Sequence, residues 1–417
     1  MSRVLSMTRM LLLAASAAAL HSPNVYLPPT SAARSCTPLC QFTESFDDSV
    51  AVKPSGQLFQ DMRAAEKLGA DEQRELIEPN TALLERPNPK RKFTVKGGKK
   101  KGGGKASVRT GGGFSAGSKS LTAEQQRVSL CANTLAADGI CLVENVMSKE
   151  TTETLFKSVQ DELARSYDAV DRDATTCTPR FNVPVETFDP LRGYLLLPLR
   201  DEKSVESNEP NGPIVSALRE LLKPGSMLGE LFSETCGGTT AEWYDLVALR
   251  TEAGAARQPI HFDTPYQKTP GLFCAFIALH DVRYTQGTTV FLPGTHLNTP
   301  ARKAFVDGQH DGRRKEMLTN VKSRYSLLKA GDAAVFDMRT LHAGTANFLE
   351  EDGGGQRLLF ILTFRNRKAK ESLGHAPNLR PGYRNRGITL AEMRRELDKD
   401  EPFAGIASDG KAFGDGL

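Results

Sequence analysis

Apolar residues are spread unevenly along this chain. Up to residue 120 they form no long periodic pattern, whereas from about Leu121 onward they recur first with a helical and then with a strand period. Thr122 is placed to open a helix, with Gln125 three residues on completing a capping-box pattern. Val128, Leu130 and Leu135 carry that helix into a short strand at Gly139-Ile140-Cys141-Leu142-Val143. Ser148 starts a second helix, in which Leu155, Val159 and Leu163 repeat at four-residue steps and give one apolar stripe. Further helical pieces are expected over 214–222 and 227–232, with Pro224-Gly225 between them.

After Trp243 the period shortens to two. Strands are expected at 243–249, 259–263, 272–282, 288–292, 325–328, 333–336, 341–347 and 358–364. Eight short strands punctuated by Gly and Pro imply a mainly β fold with flanking helices, a sandwich or an open barrel.

The amino-terminal third changes the picture only at its edges. Arg3 and Arg9 precede an apolar run from Met10 to Leu20, too short to span a bilayer, and small residues at 17–19 offer a cleavage site. The stretch to Thr43 is rich in Ser, Thr, Ala and Pro, and no acid occurs before Glu44. Residues 1–43 therefore read as a targeting segment for organelle import, a plastid favoured, with a mitochondrial presequence or a secretory signal as the alternatives. Residues 44–119 read as a low-complexity extension, mostly disordered, ending in a tract that interleaves Lys with runs of Gly over Gly97 to Lys105. Lys90 to Lys105 could meet a weakly bound anionic partner by charge attraction, or serve as a flexible solubilising linker. One folded domain is expected over 120–370, followed by a tail over 371–417, and a monomer is the default.

Composition adds little beyond this. Net charge is only +4, and aromatic residues make up 7% of the chain with a single Trp243, so nothing suggests a stacking surface for nucleic acid. No second apolar stretch qualifies as a membrane span. The seven cysteines show no Cys-x-x-Cys pair, which points to free buried thiols rather than a disulfide framework.

Chemistry is concentrated late in the chain. His261 and Asp263 stand two apart, so a strand presents both to one side. Alone, His-x-Asp is a weak signal. Farther on, Gly331-Asp332 makes a turn, 335–337 forms a strand, His342 follows where the next strand begins, and Arg357 lies on the strand after that. Two imidazoles and one carboxylate on one face of a metal make the facial triad of non-haem Fe(II) oxygenases, which leaves the opposite positions open. An arginine offers a fixed, charged fork for a carboxylate. Of the other histidines, His280 reads as a satisfied edge residue and His296, in a tight turn, as a structural hydrogen-bonding residue; His310 lies in a polar loop. Residues 299–322, rich in Arg, Lys, Asp and Gly, read as a long loop over the mouth of the site.

These motifs resemble a known family. His261-Phe262-Asp263-Thr264-Pro265-Tyr266, Gly287-Thr288-Thr289-Val290-Phe291-Leu292-Pro293-Gly294-Thr295-His296, the run from Gly331-Asp332 to Asp337, and His342-Ala343-Gly344-Thr345-Ala346-Asn347 with Arg357 are similar to those of the phytanoyl-CoA dioxygenase family. The likeness covers about 121–365. It implies a double-stranded β-helix (jelly roll), Fe(II) held by His261, Asp263 and His342, and 2-oxoglutarate whose distal carboxylate is anchored by Arg357. Gln258 and Tyr266 flank the triad and are candidates to touch 2-oxoglutarate or substrate, with packing as the alternative. The implied reaction is hydroxylation of an unactivated C–H bond of a small substrate, lipid or acyl compounds included, using O2 and releasing succinate and CO2. Asp263 favours hydroxylation over halogenation, since family members that halogenate lack this carboxylate. Two departures stand out: an acidic, Gly-rich insert over 350–355 before Arg357, and Gly344 where a hydroxyl residue often helps to bind the cosubstrate. The competing reading is a metal-binding jelly roll without oxygenase activity, a binding module or a cupin-type isomerase.

Overall fold

The computed structural model describes residues 70, 72–91, 121–200, 212–308, 310–370, 372–374 and 376–404. The stretch read as a targeting segment (1–43) and the basic tract beyond Arg91 lie outside the described residues.

Among the described residues, ten strands form two sheets. The larger runs in the order β2 (Ile140–Val143), β8 (Ala333–Asp337), β5 (Leu272–Ala278), β10 (Arg357–Arg365), β4 (Glu242–Thr251), β3 (Arg192–Leu196), with every neighbouring pair antiparallel. The smaller runs β1 (Thr81–Leu83), β7 (Ser323–Tyr325), β6 (Thr289–Phe291), β9 (His342–Gly344), where only the β1–β7 pair is parallel. The two sheets and their flanking helices make the jelly roll that the strand pattern and the family resemblance imply. Six of the eight expected strands overlap observed ones over most of the observed length; 325–328 meets its strand only at Tyr325, and 259–263 contributes an isolated bridge, His261 to His342.

The large sheet is covered on both faces, and β10 shows how. Leu358, Phe360, Leu362 and Phe364 join the core shared with the helices, while Leu359 and Ile361 join the core facing the small sheet. A strand buried on both sides reads as one continuous apolar run, which is why 358–364 is so plain in sequence. By the same alternation Arg357 faces the space between the sheets.

Helices α1 (Ala123–Asp138) and α2 (Lys149–Arg172) start at the expected caps, Thr122 with its full capping box and Ser148. The pieces α3 (Pro213–Leu222) and α4 (Met227–Thr235) pack beside them, burying Leu218, Leu221, Leu228 and Phe232 completely or nearly so. No described helix is long and apolar enough to cross a membrane. All five described cysteines are free and buried.

Three segments differ from the sequence expectation. The stretch taken as a loop over 299–322 contains two helices, α5 (Pro300–Asp307) and α6 (Arg313–Asn320), which bury Phe305, Met317 and Leu318 against the outside of the small sheet. Part of the extension is ordered: Ile77 is fully buried in that same cluster, and Thr81–Leu83 forms β1. The segment read as a tail packs into the main core as far as Phe403.

Candidate metal centre

The centre is built where the small sheet meets the segment after β4. His261 and His342 exchange both backbone hydrogen bonds, 2.9 and 2.8 Å, so the two residues are locked opposite one another. Asp263 is fixed by its own N–H on the Met338 carbonyl at 3.0 Å. The three side chains converge. Asp263 Oδ1 stands 3.6 Å from His261 Nε2 and Oδ2 stands 3.5 Å from His342 Nε2. One ligand atom from each lies within 4.8 Å of the others, and among the described residues this is the group of His, Cys and acidic side chains that could hold an ion.

The backbone also selects the ligand atoms. His261 Nδ1–H donates to the Pro259 carbonyl at 2.8 Å, and His342 Nδ1–H donates to the Thr340 carbonyl at 3.0 Å. Each imidazole is thereby held in the tautomer that leaves Nε2 as a lone-pair donor, the arrangement metal-binding histidines need. His342 stacks on Phe291 at 5.6 Å between centroids, with Phe336 at 5.1 Å, so one wall is apolar. Two nitrogens and one carboxylate on one side of a point suit a divalent first-row metal with open positions opposite them.

Arg357 lies on the same interior. It is 1% exposed, its Nη2 donates to Thr251 Oγ1 at 3.2 Å, and its enclosed Nε–H has no partner. Burial, with the nearby Arg192 guanidinium adding to it, pushes Arg357 down to about 9. A fully buried cation with an unused donor is costly unless an anion joins it.

Gln258 sits at the other side of Gly344: its Oε1 accepts from the Gly344 N–H at 3.0 Å, and its own N–H donates to the Gly344 carbonyl at 2.9 Å. It thus clamps the strand that carries His342. Tyr266 is 39% exposed, and its ring lies 5.8 Å from the guanidinium carbons of both Arg302 and Arg339. These arginines belong to a buried knot behind the ligands. Arg339 pairs with Asp337, and Arg302 Nη1 donates to the carbonyls of Thr295 and Arg339 while stacking over Phe262 at 4.5 Å. His280 accepts from the Leu358 N–H at 3.1 Å, and the buried His296 bonds the Ala136 carbonyl at 3.2 Å, so both are structural.

Sequence reasoning missed β3, and with it Arg192 and Tyr194. Both lie on the face of β3 that looks into the barrel, in register with Thr251 and Leu249 of β4. Tyr194 is 40% exposed; partial loss of solvent and then the Asp263 carboxylate raise its phenol above the ordinary range. The apolar run Leu195-Leu196-Leu197 was the available signal.

Fold and donor set together define a metal-centred double-stranded β-helix protein. A family model described as Phytanoyl-CoA dioxygenase (PhyH) matches residues 135–348, just over half of the 417, and the chain belongs to that family. No curated protein matches the chain in sequence. Among solved structures it is similar to the non-haem α-ketoglutarate-dependent epimerase SnoN from nogalamycin biosynthesis, at 18% identity, TM-score 0.37, covering 57% of this chain and 80% of that one. It is similar to AviO1 from Streptomyces viridochromogenes Tue57 at 16% identity, TM-score 0.41, covering 58% and 97%. A third is the non-haem monooxygenase ThoJ in its nickel complex, at 15% identity, TM-score 0.35, covering 60% and 85%.

Proposed function

We propose that this chain is an Fe(II)- and 2-oxoglutarate-dependent oxygenase that hydroxylates an unactivated C–H bond of a small substrate, lipid or acyl compounds included, with O2 as co-reactant and succinate and CO2 as co-products. The observation that carries the proposal is the pairing of a convergent His261–Asp263–His342 face with a buried, under-used Arg357. A non-redox metal site has no evident need for the second feature.

The residues divide the work. His261 and His342 would ligate through Nε2, with Asp263 supplying the anionic oxygen between them. Arg357 would take the distal carboxylate of the keto acid through its charge and its Nε–H, which no described residue engages. Phe291 and Phe336 keep one side of the centre dry, and Gln258 holds the His342 strand in place. The bound metal and keto acid supply the oxidising power; the protein supplies ligation, orientation and water exclusion. Because Asp263 is present, all three protein ligands are available, and this supports hydroxylation over halogenation. Import into an organelle, a plastid favoured, is part of the same proposal and rests on the leader sequence alone.

The test is anaerobic titration of Fe(II)-loaded protein with 2-oxoglutarate, following the weak visible charge-transfer band. Wild type should show the band, His342→Ala should lose it, and Arg357→Ala should need much more 2-oxoglutarate to develop it. Normal iron binding with no band in wild type would overturn the cosubstrate assignment and favour the non-oxygenase jelly roll.

A further inference from the structure

Arg357 is not the lone cation on the inner face. Arg192 of β3 and Arg357 of β10 are both register partners of Thr251 on the strand between them, so the three residues form one row across the large sheet and project to the same side. The hydrogen bonds of the two guanidiniums go to the Ala256 and Thr345 carbonyls and to the Thr251 hydroxyl, and among the described residues neither is ion-paired with a carboxylate. Asp189 is the acid whose field reaches Arg192, yet burial still pushes this arginine down to about 10.

The Arg192 side chain is aimed rather than loose. Its Nη2 donates to the carbonyls of Ala256 and Thr345 at 3.0 and 2.9 Å, which fixes the plane of the guanidinium. Its Nη1 is enclosed and has no partner. That nitrogen lies against Gly344, two residues after the ligand His342. A Cβ added to Gly344 would overlap Arg192 Nη1 and come within 2.6 Å of Gln258 Oε1. Gly344 does not have a positive φ, so what a side chain there would meet is the Arg192 and Gln258 side-chain tips rather than backbone strain.

We propose that Arg192 is a second anchor for the distal carboxylate of the keto-acid cosubstrate, admitted to the site by Gly344 and acting beside Arg357. The proposal rests on the 2-oxoglutarate reading given above. Two unused donors, Arg192 Nη1 and Arg357 Nε, then share one carboxylate, and a single anion offsets two like charges, one fully buried and one half-buried. The consequence is strong selection for a dicarboxylic keto acid: a ligand that lacks the distal carboxylate leaves both cations unpaired.

Anaerobic affinities for 2-oxoglutarate and for 2-oxobutyrate, which lacks that carboxylate, test the proposal on Fe(II)-loaded full-length protein. Arg192→Met should weaken 2-oxoglutarate about ten- to hundredfold, as expected for a lost charged hydrogen bond, and leave 2-oxobutyrate and Fe(II) affinity unchanged. Gly344→Ala should produce a similar loss with residue 192 unsubstituted, because the added methyl displaces the Arg192 side chain. In the double variant, Gly344→Ala should add little to Arg192→Met, the signature of a shared mechanism. Arg192→Met with wild-type 2-oxoglutarate affinity, or with equal losses for both keto acids, would overturn the proposal while leaving the cosubstrate reading intact. A wild-type protein that binds iron and neither keto acid would overturn both.

Discussion

The imidazoles of His261 and His342 owe their chemistry to the backbone. Each Nδ1–H is held by the carbonyl two residues earlier in its own chain segment, so no separate side chain is needed to fix the tautomer. The His-x-Asp spacing was legible because a period of two puts both residues on one side, and His342 was legible because the next strand begins there after the strand at 335–337. The support behind them was not legible, since it depends on contacts between distant segments. Arg302 is the clearest case: its Nη1 joins the Thr295 and Arg339 carbonyls at 2.9 and 2.6 Å, and its face covers Phe262, which lies between the two ligands of the first motif. Arg302→Met should keep the volume but release both carbonyls and loosen the ligand segments. Removing such supporting contacts commonly costs about 10- to 100-fold in metal affinity. Competition of the variant with a chelator of known strength for Fe(II) measures this, and an unchanged affinity would show that Arg302 serves stability alone.

Strands and helices were readable to different degrees, for a physical reason. The central strands β5, β8 and β10 of the large sheet are largely apolar because both faces are buried, and α1 and α2 carry their own caps. Helices α5 and α6 have eight residues each and a polar composition, too short to persist alone, so tertiary packing of Phe305, Met317 and Leu318 decides their state. The Thr299 cap followed by Pro300 was the one local sign. β3 escaped notice because two of its inward positions carry Arg192 and Tyr194, a functional choice that breaks the apolar alternation. The joint between α1 and β2 shows how an element boundary reaches the metal centre. Gly139 adopts φ +76°, and its carbonyl accepts from the Asp337 N–H and Thr340 Oγ1, both at 3.0 Å, just ahead of His342. A Cβ there would lie 2.5 Å from His296 Nδ1. Gly139→Ala should therefore cost more than the roughly 1–2 kcal/mol of a left-handed alanine, reaching about 3 kcal/mol or above with the clash. Gly225 has φ +82° with open space around it, so Gly225→Ala should cost the conformational part alone. Equal losses for the two variants in urea denaturation would show that the contact with His296 relaxes freely.

At the scale of the whole molecule, the carboxy-terminal segment belongs to the barrel. It was read as a tail because 371–389 is broken by Pro and Gly and shows no period. Its attachment is made of contacts that no local pattern announces. Asn378 takes the Leu246 N–H at 3.1 Å, Ile388 takes the Trp243 N–H at 2.8 Å, and Tyr383 Oη accepts from the Leu199 N–H at 3.0 Å. Arg380 reaches Glu162 of α2 at 2.6 Å and the Leu196 carbonyl at the end of β3 at 2.7 Å. The segment therefore staples the β3–β4 edge, the edge that carries Arg192, to the helical layer. Leu379, Tyr383, Leu390, Met393, Leu397 and Phe403 are all at most 3% exposed. Burying six such side chains at about 1.5–3 kcal/mol each contributes as much as the whole net stability of an ordinary domain, about 5–15 kcal/mol. A chain ending at Lys370 retains His261, Asp263, His342, Arg357 and Arg192, yet it should not fold. Its expression should give aggregated protein without cooperative thermal unfolding, and a soluble truncated chain that still binds Fe(II) would show that the jelly roll closes on its own.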